Sequence, residues 1–208
     1  WKLNILNKYT QGKNLLDVGC GTGAFLEYSN KKGWNVSGVE PSKVAKERIN
    51  LLLKDRVKSE LQHVEQNDFN AITLWHVLEH LPNLNEALNQ ISNKLHSTGT
   101  IFIAVPNPES PDAKHYQEHW AAYDVPRHLW HFTKRTMEHL LAQHRLEIIK
   151  TYPMKLDAFY VSTLSEKYNG SPTFMQYLKG FCSGLTSNLK ANNTGNHSSI
   201  LYIVKKAK

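Results

Sequence analysis

Three glycines spaced two apart, Gly19, Gly21 and Gly23, follow the short apolar run Asn14-Leu15-Leu16-Asp17-Val18 and precede Ala24, with Cys20 inside the turn. Glycine reaches positive φ without strain and brings no Cβ, so a turn built from it lets a ligand touch the main chain directly. With Ala24 in last place the run satisfies a loose dinucleotide pattern, Gly-x-Gly-x-x-Ala. The glycines alone therefore leave two nucleotide cofactors open, a nicotinamide and S-adenosylmethionine.

Asp17 helps to choose between them. A carboxylate two residues before Gly19 adds repulsion toward a pyrophosphate, whereas the amino-acid end of S-adenosylmethionine carries an ammonium and a sulfonium that it suits. Glu40 ends the next apolar run and is placed to accept both ribose hydroxyls, with Pro41 following it. The competing structural reading, a strand-turn-helix without a ligand, does not explain why all three features coincide.

Two histidine-bearing segments could carry chemistry. His76-Val77-Leu78-Glu79-His80 matches the zinc-peptidase spacing His-x-x-Glu-His. A peptidase zinc needs a third protein ligand, which the sequence does not identify, and no bound metal is expected. Near neutrality His76 or His80 can instead accept the proton of an attacking hydroxyl; the plain alternative is that each caps the turn before Pro82. The second segment runs from Trp120 to Phe132 and holds Tyr123, Arg127, His128 and His131. Its aromatics, Arg and His suit a planar or anionic substrate, with Trp120, Tyr123, Arg127 and His131 as the wall and His128 as a further candidate base. Otherwise Arg127 and His128 pin a loop to the sheet edge.

Alternating strand and helix patterns must position these groups. Strands are expected at 14–18, 34–39, 57–61, 70–75, 100–105, 146–151 and 200–204. Helices are expected at 24–30, from Ser42 through Leu53, around 84–95 and at 133–144. About 25 residues after the fifth strand lack clean periodicity and read as a functional loop or lid. Residues 152–199 form a helical cap inserted before the last strand, within one domain spanning 1–208. In the cap, Phe174, Tyr177, Leu178, Phe181 and Leu185 make an amphipathic face. That face is expected to pack the cap on the domain, a dimer or peripheral lipid contact being the other readings. Residues 191–196 are expected to be turn-like and mobile.

Composition sets the outer bounds. The 208 residues are 40% hydrophobic and 21% charged, ordinary for a soluble protein, and no apolar run is long enough to span a bilayer. The chain begins Trp1-Lys2-Leu3, without a signal pattern, and something is expected to precede it. Two distant cysteines, one of them in the glycine turn, suit a reducing compartment, and a cytoplasmic location is expected. The net charge of +7 is spread along the chain rather than gathered in a stripe, so a nucleic-acid partner is not expected.

At this point a family comes into view. Leu15 to Gly23 resembles the first motif of class I S-adenosylmethionine-dependent methyltransferases, and Val39-Glu40-Pro41-Ser42 resembles their second acidic motif. Leu74-Trp75-His76-Val77-Leu78-Glu79-His80-Leu81 resembles the segment after strand four in the subgroup of ubiquinone-biosynthesis O-methyltransferases. Pro126-Arg127-His128-Leu129 resembles another segment of that subgroup. The resemblance implies an α/β, Rossmann-like sheet of seven strands, order 3-2-1-4-5-7-6 with strand seven antiparallel. It implies that Gly19 to Gly23 face the methionine part, Glu40 the ribose, and Ser59-Glu60 the adenine, with Leu74 and Trp75 flanking the cofactor. The usual Asp before strand four is here Asn70, and the stretch from Leu61 to Phe69 is short, which puts the adenine contacts in doubt. The activity implied is methyl transfer to an oxygen of a small molecule, lipid or sugar by a monomer or homodimer. The rivals are a nucleic-acid methyltransferase, whose usual Asn/Asp-Pro-Pro-aromatic motif is replaced here by Trp75-His76-Val77-Leu78, and a non-catalytic cofactor-binding protein.

Overall fold

The computed structural model describes residues 1–207. Seven strands form one sheet: β1 (Asn14–Val18), β2 (Asn35–Val39), β3 (Val57–Lys58), β4 (Phe69–Trp75), β5 (Leu95–Pro106), β6 (Leu146–Pro153) and β7 (Ser199–Lys206). Their order is β3-β2-β1-β4-β5-β7-β6, with β7 antiparallel to both neighbours, as expected. The order reverses between β1 and β4, and in an open α/β sheet that switch point opens a crevice at the carboxyl ends of the strands.

Strand residues alternate between two apolar layers. Leu16, Ile72, Leu74, Ile101, Ile103 and Tyr202 face helices α4 (Leu84–Lys94) and α6 (Lys134–Gln143). Leu15, Val36, Ala71, Phe102 and Ile203 face α1 (Lys2–Tyr9) and α2 (Ala24–Lys31). Burial on both faces is why the central strands read as continuous apolar runs.

Several boundaries differ from the sequence reading. The helix opened by Ser42 is only α3 (Lys43–Glu47); Asn50 then caps a 3-10 turn over Leu51–Arg56 by accepting from Leu52 N. The third strand spans two residues, so Ser59 and Glu60 lie in the loop beyond it. The stretch after β5 is not an irregular lid. Ser110 caps and Pro111 opens α5 (Pro111–Tyr116), and 3-10 turns follow at Gln117–His119 and Ala121–Tyr123.

The segment between β6 and β7 folds as α7 (Lys155–Tyr168) and α8 (Thr173–Thr194). Residues 191–194, expected as a mobile turn, are the last turn of α8, and Gly195 at φ 71° closes it. The amphipathic face is also a correction. Phe174, Tyr177, Leu178, Phe181 and Leu185 are exposed, and the buried side of α8 is its stripe of small residues, Gly180, Gly184, Ser187 and Ala191. A Cβ at Gly184 would lie 2.8 Å from the Phe159 Cα, so glycine there permits close approach of α7 and α8. Helical periodicity locates an apolar stripe, but small residues set which side packs closest.

Candidate functional site

The glycine turn leaves β1 at the switch point, and Gly19, Gly21 and Gly23 take φ of 71°, 56° and 78°. Gly19 N and Cys20 N donate to the Val39 carbonyl, which ties the turn to the end of β2. A Cβ on Gly19 would run into the Val77 side chain, so this position needs glycine for space as well as for φ. Glu40 joins the two loops: Oε2 accepts from Gly21 N and Oε1 from Ser42 N, both at 2.8 Å. Each carboxylate oxygen accepts two hydrogen bonds or more, so Glu40 keeps capacity for a ligand hydroxyl.

Beside this turn lies a cavity of about 610 Å³. Gly19, Glu40 and Pro41 form one wall, Ser59, Glu60 and Leu61 the end, and His76, Val77 and His80 the other wall. Asp17, Cys20, Gly21, Gly23, Leu74 and Trp75 do not line it. Leu74 is wholly buried, Cys20 is buried behind the turn, and Ser59 is exposed with its Oγ accepting from Lys46 Nζ.

Asp17 and Trp75 instead mark a second, cation-holding spot. Asp17 is buried, and that burial raises its carboxyl to about 7 although Thr73 Oγ1 donates to it at 2.5 Å. Trp75 meets Phe25 edge-on at 5.8 Å, and the Lys2 ammonium stands 4.2 Å from the Trp75 ring centre. Asp17 and Asp157 both attract that ammonium, although burial lowers the pKa of Lys2 overall. Lys2, Phe25 and Asp157 were not singled out from the sequence, because none carries a local signature. Only folding brings Asp157, on α7, near Lys2 and His76.

His76, at φ 56°, places Nε2 3.0 Å from Asp157 Oδ2 and Nδ1 3.3 Å from Glu79 Oε1. Burial pulls its pKa down, but the hydrogen bond with Asp157 and the neighbouring Glu79 carboxylate outweigh this and raise it to about 9. His76 is therefore held cationic at neutral pH and links the sheet to the cap.

A second cavity of about 290 Å³ opens between sheet and cap, lined by His76, Asp124, Arg127, His128, Asp157 and Tyr160 among others. His128 Nδ1 bonds the Ala122 carbonyl at 2.8 Å and His80 Nδ1 bonds the Arg127 carbonyl at 2.9 Å. A carbonyl only accepts, so both Nδ1 atoms carry the proton and both Nε2 atoms keep a lone pair. Burial lowers the His128 pKa, which favours that neutral form.

The aromatic wall is only partly assembled. Trp120 is buried in the cap core, where its indole donates to Asp112 at 2.8 Å, and it reaches neither cavity. Tyr123 packs between Trp120 and His131, and neither Tyr123 nor His131 lines the second cavity. Arg127 does line it, while pairing with Asp124 at 2.7 Å. The sequence reads here as a functional loop or lid, and nothing local marks its largest aromatic for burial.

A family model described as a methyltransferase domain matches residues 2–151. The ubiquinone biosynthesis O-methyltransferase of Vibrio atlanticus is 31% identical over 120 residues, 51% of this chain and 50% of that protein. That of Aeromonas salmonicida is 28% identical over 105 residues, 46% of this chain and 44% of that protein. The chain thus spans about half the length of the curated relatives it matches. Among solved structures, phosphoethanolamine N-methyltransferase 2 of Haemonchus contortus, in complex with S-adenosyl-L-methionine, superposes with a TM-score of 0.61 at 18% identity, covering 99% of this chain and 52% of that one. The cyclopropane synthase MmaA2 of Mycobacterium tuberculosis gives 0.64 at 14% identity, covering 98% and 82%. These structural likenesses speak for the fold.

Proposed function

We propose that this chain, which belongs to the methyltransferase domain family, moves the methyl group of S-adenosylmethionine onto an oxygen of a small molecule. The carrying observation is the Glu40 carboxylate, hydrogen-bonded to both loops at the mouth of a cavity that starts at the glycine turn. In this reading Glu40 receives the ribose hydroxyls, Pro41, Ser59 and Glu60 border the adenine, and Gly19 to Gly23 with Cys20 back the methionine part. Leu74 sets the floor through the position of its strand. Asp17 and the Trp75 face receive the cationic end, the seat where the Lys2 ammonium now stands.

The acceptor enters the second cavity, and its oxygen attacks the methyl in line as the S–C bond breaks and S-adenosylhomocysteine leaves. Alignment and exclusion of water supply much of such a transfer. The two free Nε2 atoms of His80 and His128 stand at the meeting of the cavities, available to the hydroxyl proton. His76, held cationic, orients rather than accepts. Arg127 at the cavity rim suits an acceptor with an anionic or carbonyl oxygen; Tyr123 and His131 brace that rim from behind.

The whole chain 1–208 acts as one methyltransferase domain, and the helices within 152–199 are its acceptor-selecting cap. Among the described residues no helix is long and apolar enough to cross a membrane. Free Cys20 and Cys182 support a cytoplasmic setting. The protein works as a monomer or homodimer, which sedimentation separates. Calorimetric titration with S-adenosylmethionine tests the reading: saturable 1:1 binding is expected, and a folded protein that does not bind would sink it.

A further inference from the structure

Glu79 is the least explained group in the molecule. It sits in the 3-10 turn Leu78–His80 after β4, its side chain is 1% exposed, and neither carboxylate oxygen has a hydrogen-bond partner. His76 Nδ1 approaches Oε1 to 3.3 Å without the alignment of a hydrogen bond. Taking an ionised carboxylate out of water costs several kcal/mol unless a cation or donors compensate it. The His76 cation beside Oε1 offsets part of that cost but gives no aligned donor, and Oε2 has no hydrogen-bond partner, so a further positive ligand complements the group.

Two imidazoles complete the set. One ligand atom each from Glu79, His80 and His128 lies within 4.8 Å of the others, and the two rings meet at 4.6 Å between centres. Each histidine gives its Nδ1 proton to a main-chain carbonyl, of Arg127 and Ala122 respectively. That outer bond fixes the tautomer and aims Nε2 as a ligand, as it does for most metal-bound histidines. The Glu79 carbonyl accepts from Leu129 N at 2.8 Å and Trp130 N at 3.3 Å, so the main chain clamps the segment bearing His128 to the turn bearing Glu79. The sequence offered two histidines and a glutamate at peptidase spacing but no third ligand outside that motif. Folding supplies His128, from 48 positions further on than His80, and sets His76 aside in its pair with Asp157.

We propose that Glu79, His80 and His128 form a binding site for one divalent transition-metal ion. Two nitrogens and one carboxylate oxygen suit Zn²⁺, with Mn²⁺ or Fe²⁺ as weaker competitors for the same donors. Three protein ligands leave coordination positions open. His80 lines the cofactor cavity and His128 the second cavity, so the open side faces their junction. An acceptor oxygen bound there would be held and made more acidic. That placement rests on the methyl-transfer reading; the binding of the ion does not.

The test is a Zn²⁺ titration of the chelator-stripped full chain, by calorimetry and against a chromophoric chelator. One equivalent is expected, and its affinity should fall at least about 100-fold in H128A, H80A and E79Q, since even the outer partners of metal ligands are worth about 10–100-fold. The visible spectrum of the Co²⁺ form should collapse in the same variants. H139A, on the distant helix α6, should bind as wild type. Should E79Q fail to fold, H128A decides, because His128 lines the second cavity rather than the core of the sheet. No Zn²⁺ binding by the wild type, or unchanged binding by H128A, overturns the proposal. Such a failure would leave S-adenosylmethionine binding untouched and His80 and His128 as direct proton acceptors.

Discussion

The two halves of the crevice are built by different means. On the β1–β2 side the contacts run through main chain: Gly19 N and Cys20 N to Val39 O, Gly21 N and Ser42 N to Glu40. On the cap side buried side chains meet across long stretches of sequence. Asp112 accepts from Trp120 Nε1, Ser187 Oγ and Ser198 Oγ, at 2.8, 2.7 and 2.6 Å. Glu166 accepts from Tyr116 and Ser171 in the same way. A main-chain site depends on what each residue can adopt locally. A side-chain network depends on which distant residues fold against one another.

The sharpest way to break this contrast is to remove the hub of the cap. D112A leaves three buried donors without an acceptor, each costing about 1–3 kcal/mol. A loss of at least 3 kcal/mol is expected, lowering Tm by at least about 6 °C for a chain of this size. Thermal unfolding checks it, and at 10 °C the surviving folded fraction should still bind S-adenosylmethionine. Loss of cofactor affinity in folded D112A would show that the halves are not separate.

G19A should do the reverse. The added Cβ meets Val77, and φ of 71° strains any residue but glycine. Strain of about 1–3 kcal/mol with an obstructed approach predicts at least 100-fold weaker cofactor binding by calorimetry. Cap helicity should be intact in the far-ultraviolet spectrum of the folded variant.

The same contrast explains what could be read from the chain. The glycine turn, Glu40 and most strands were legible because each follows from local identities: glycine spacing, an acid at a strand end, apolar runs of strand length. The strand order came only through the resemblance that those motifs carry. The cap was not. Trp120 was placed in the substrate wall since nothing beside it announces Asp112 and Ser165, which anchor its neighbourhood. The large apolar residues of α8 pointed to the wrong face, because the close packing on α7 is made by Gly180 and Gly184. Nor could spacing have found His128 beside Glu79, as the main-chain bonds joining them span about fifty residues.

Asp17 tests where the main-chain half relies on charge. Burial raises its pKa to about 7, so the folded state holds the proton more tightly than the unfolded chain. Its contribution to stability is thus greatest below pH 4 and falls as pH rises toward 7. Binding a cationic ligand favours the ionised form, so wild-type affinity for S-adenosylmethionine should rise with pH across 6 to 8. D17N should flatten that profile and weaken binding about tenfold at pH 8, with a smaller deficit at pH 6. A pH-dependence preserved in D17N would move the cationic end of the cofactor elsewhere.

Arg127 gives the smallest effect and the finest division between the halves. Its guanidinium is exposed and pairs with Asp124 across three residues, a surface arrangement that holds little folding energy. R127A should therefore unfold at the wild-type temperature and bind S-adenosylmethionine unchanged. What it should alter is the second cavity, whose rim it forms. With an acceptor found by screening oxygen nucleophiles with labelled donor, KM should rise severalfold while kcat stays close to wild type, the pattern of an interaction made equally before and during transfer. A fall in kcat at constant KM would instead place Arg127 against the reacting oxygen itself. The division would then lie within the cap, between an inert scaffold around Asp112 and a reactive edge.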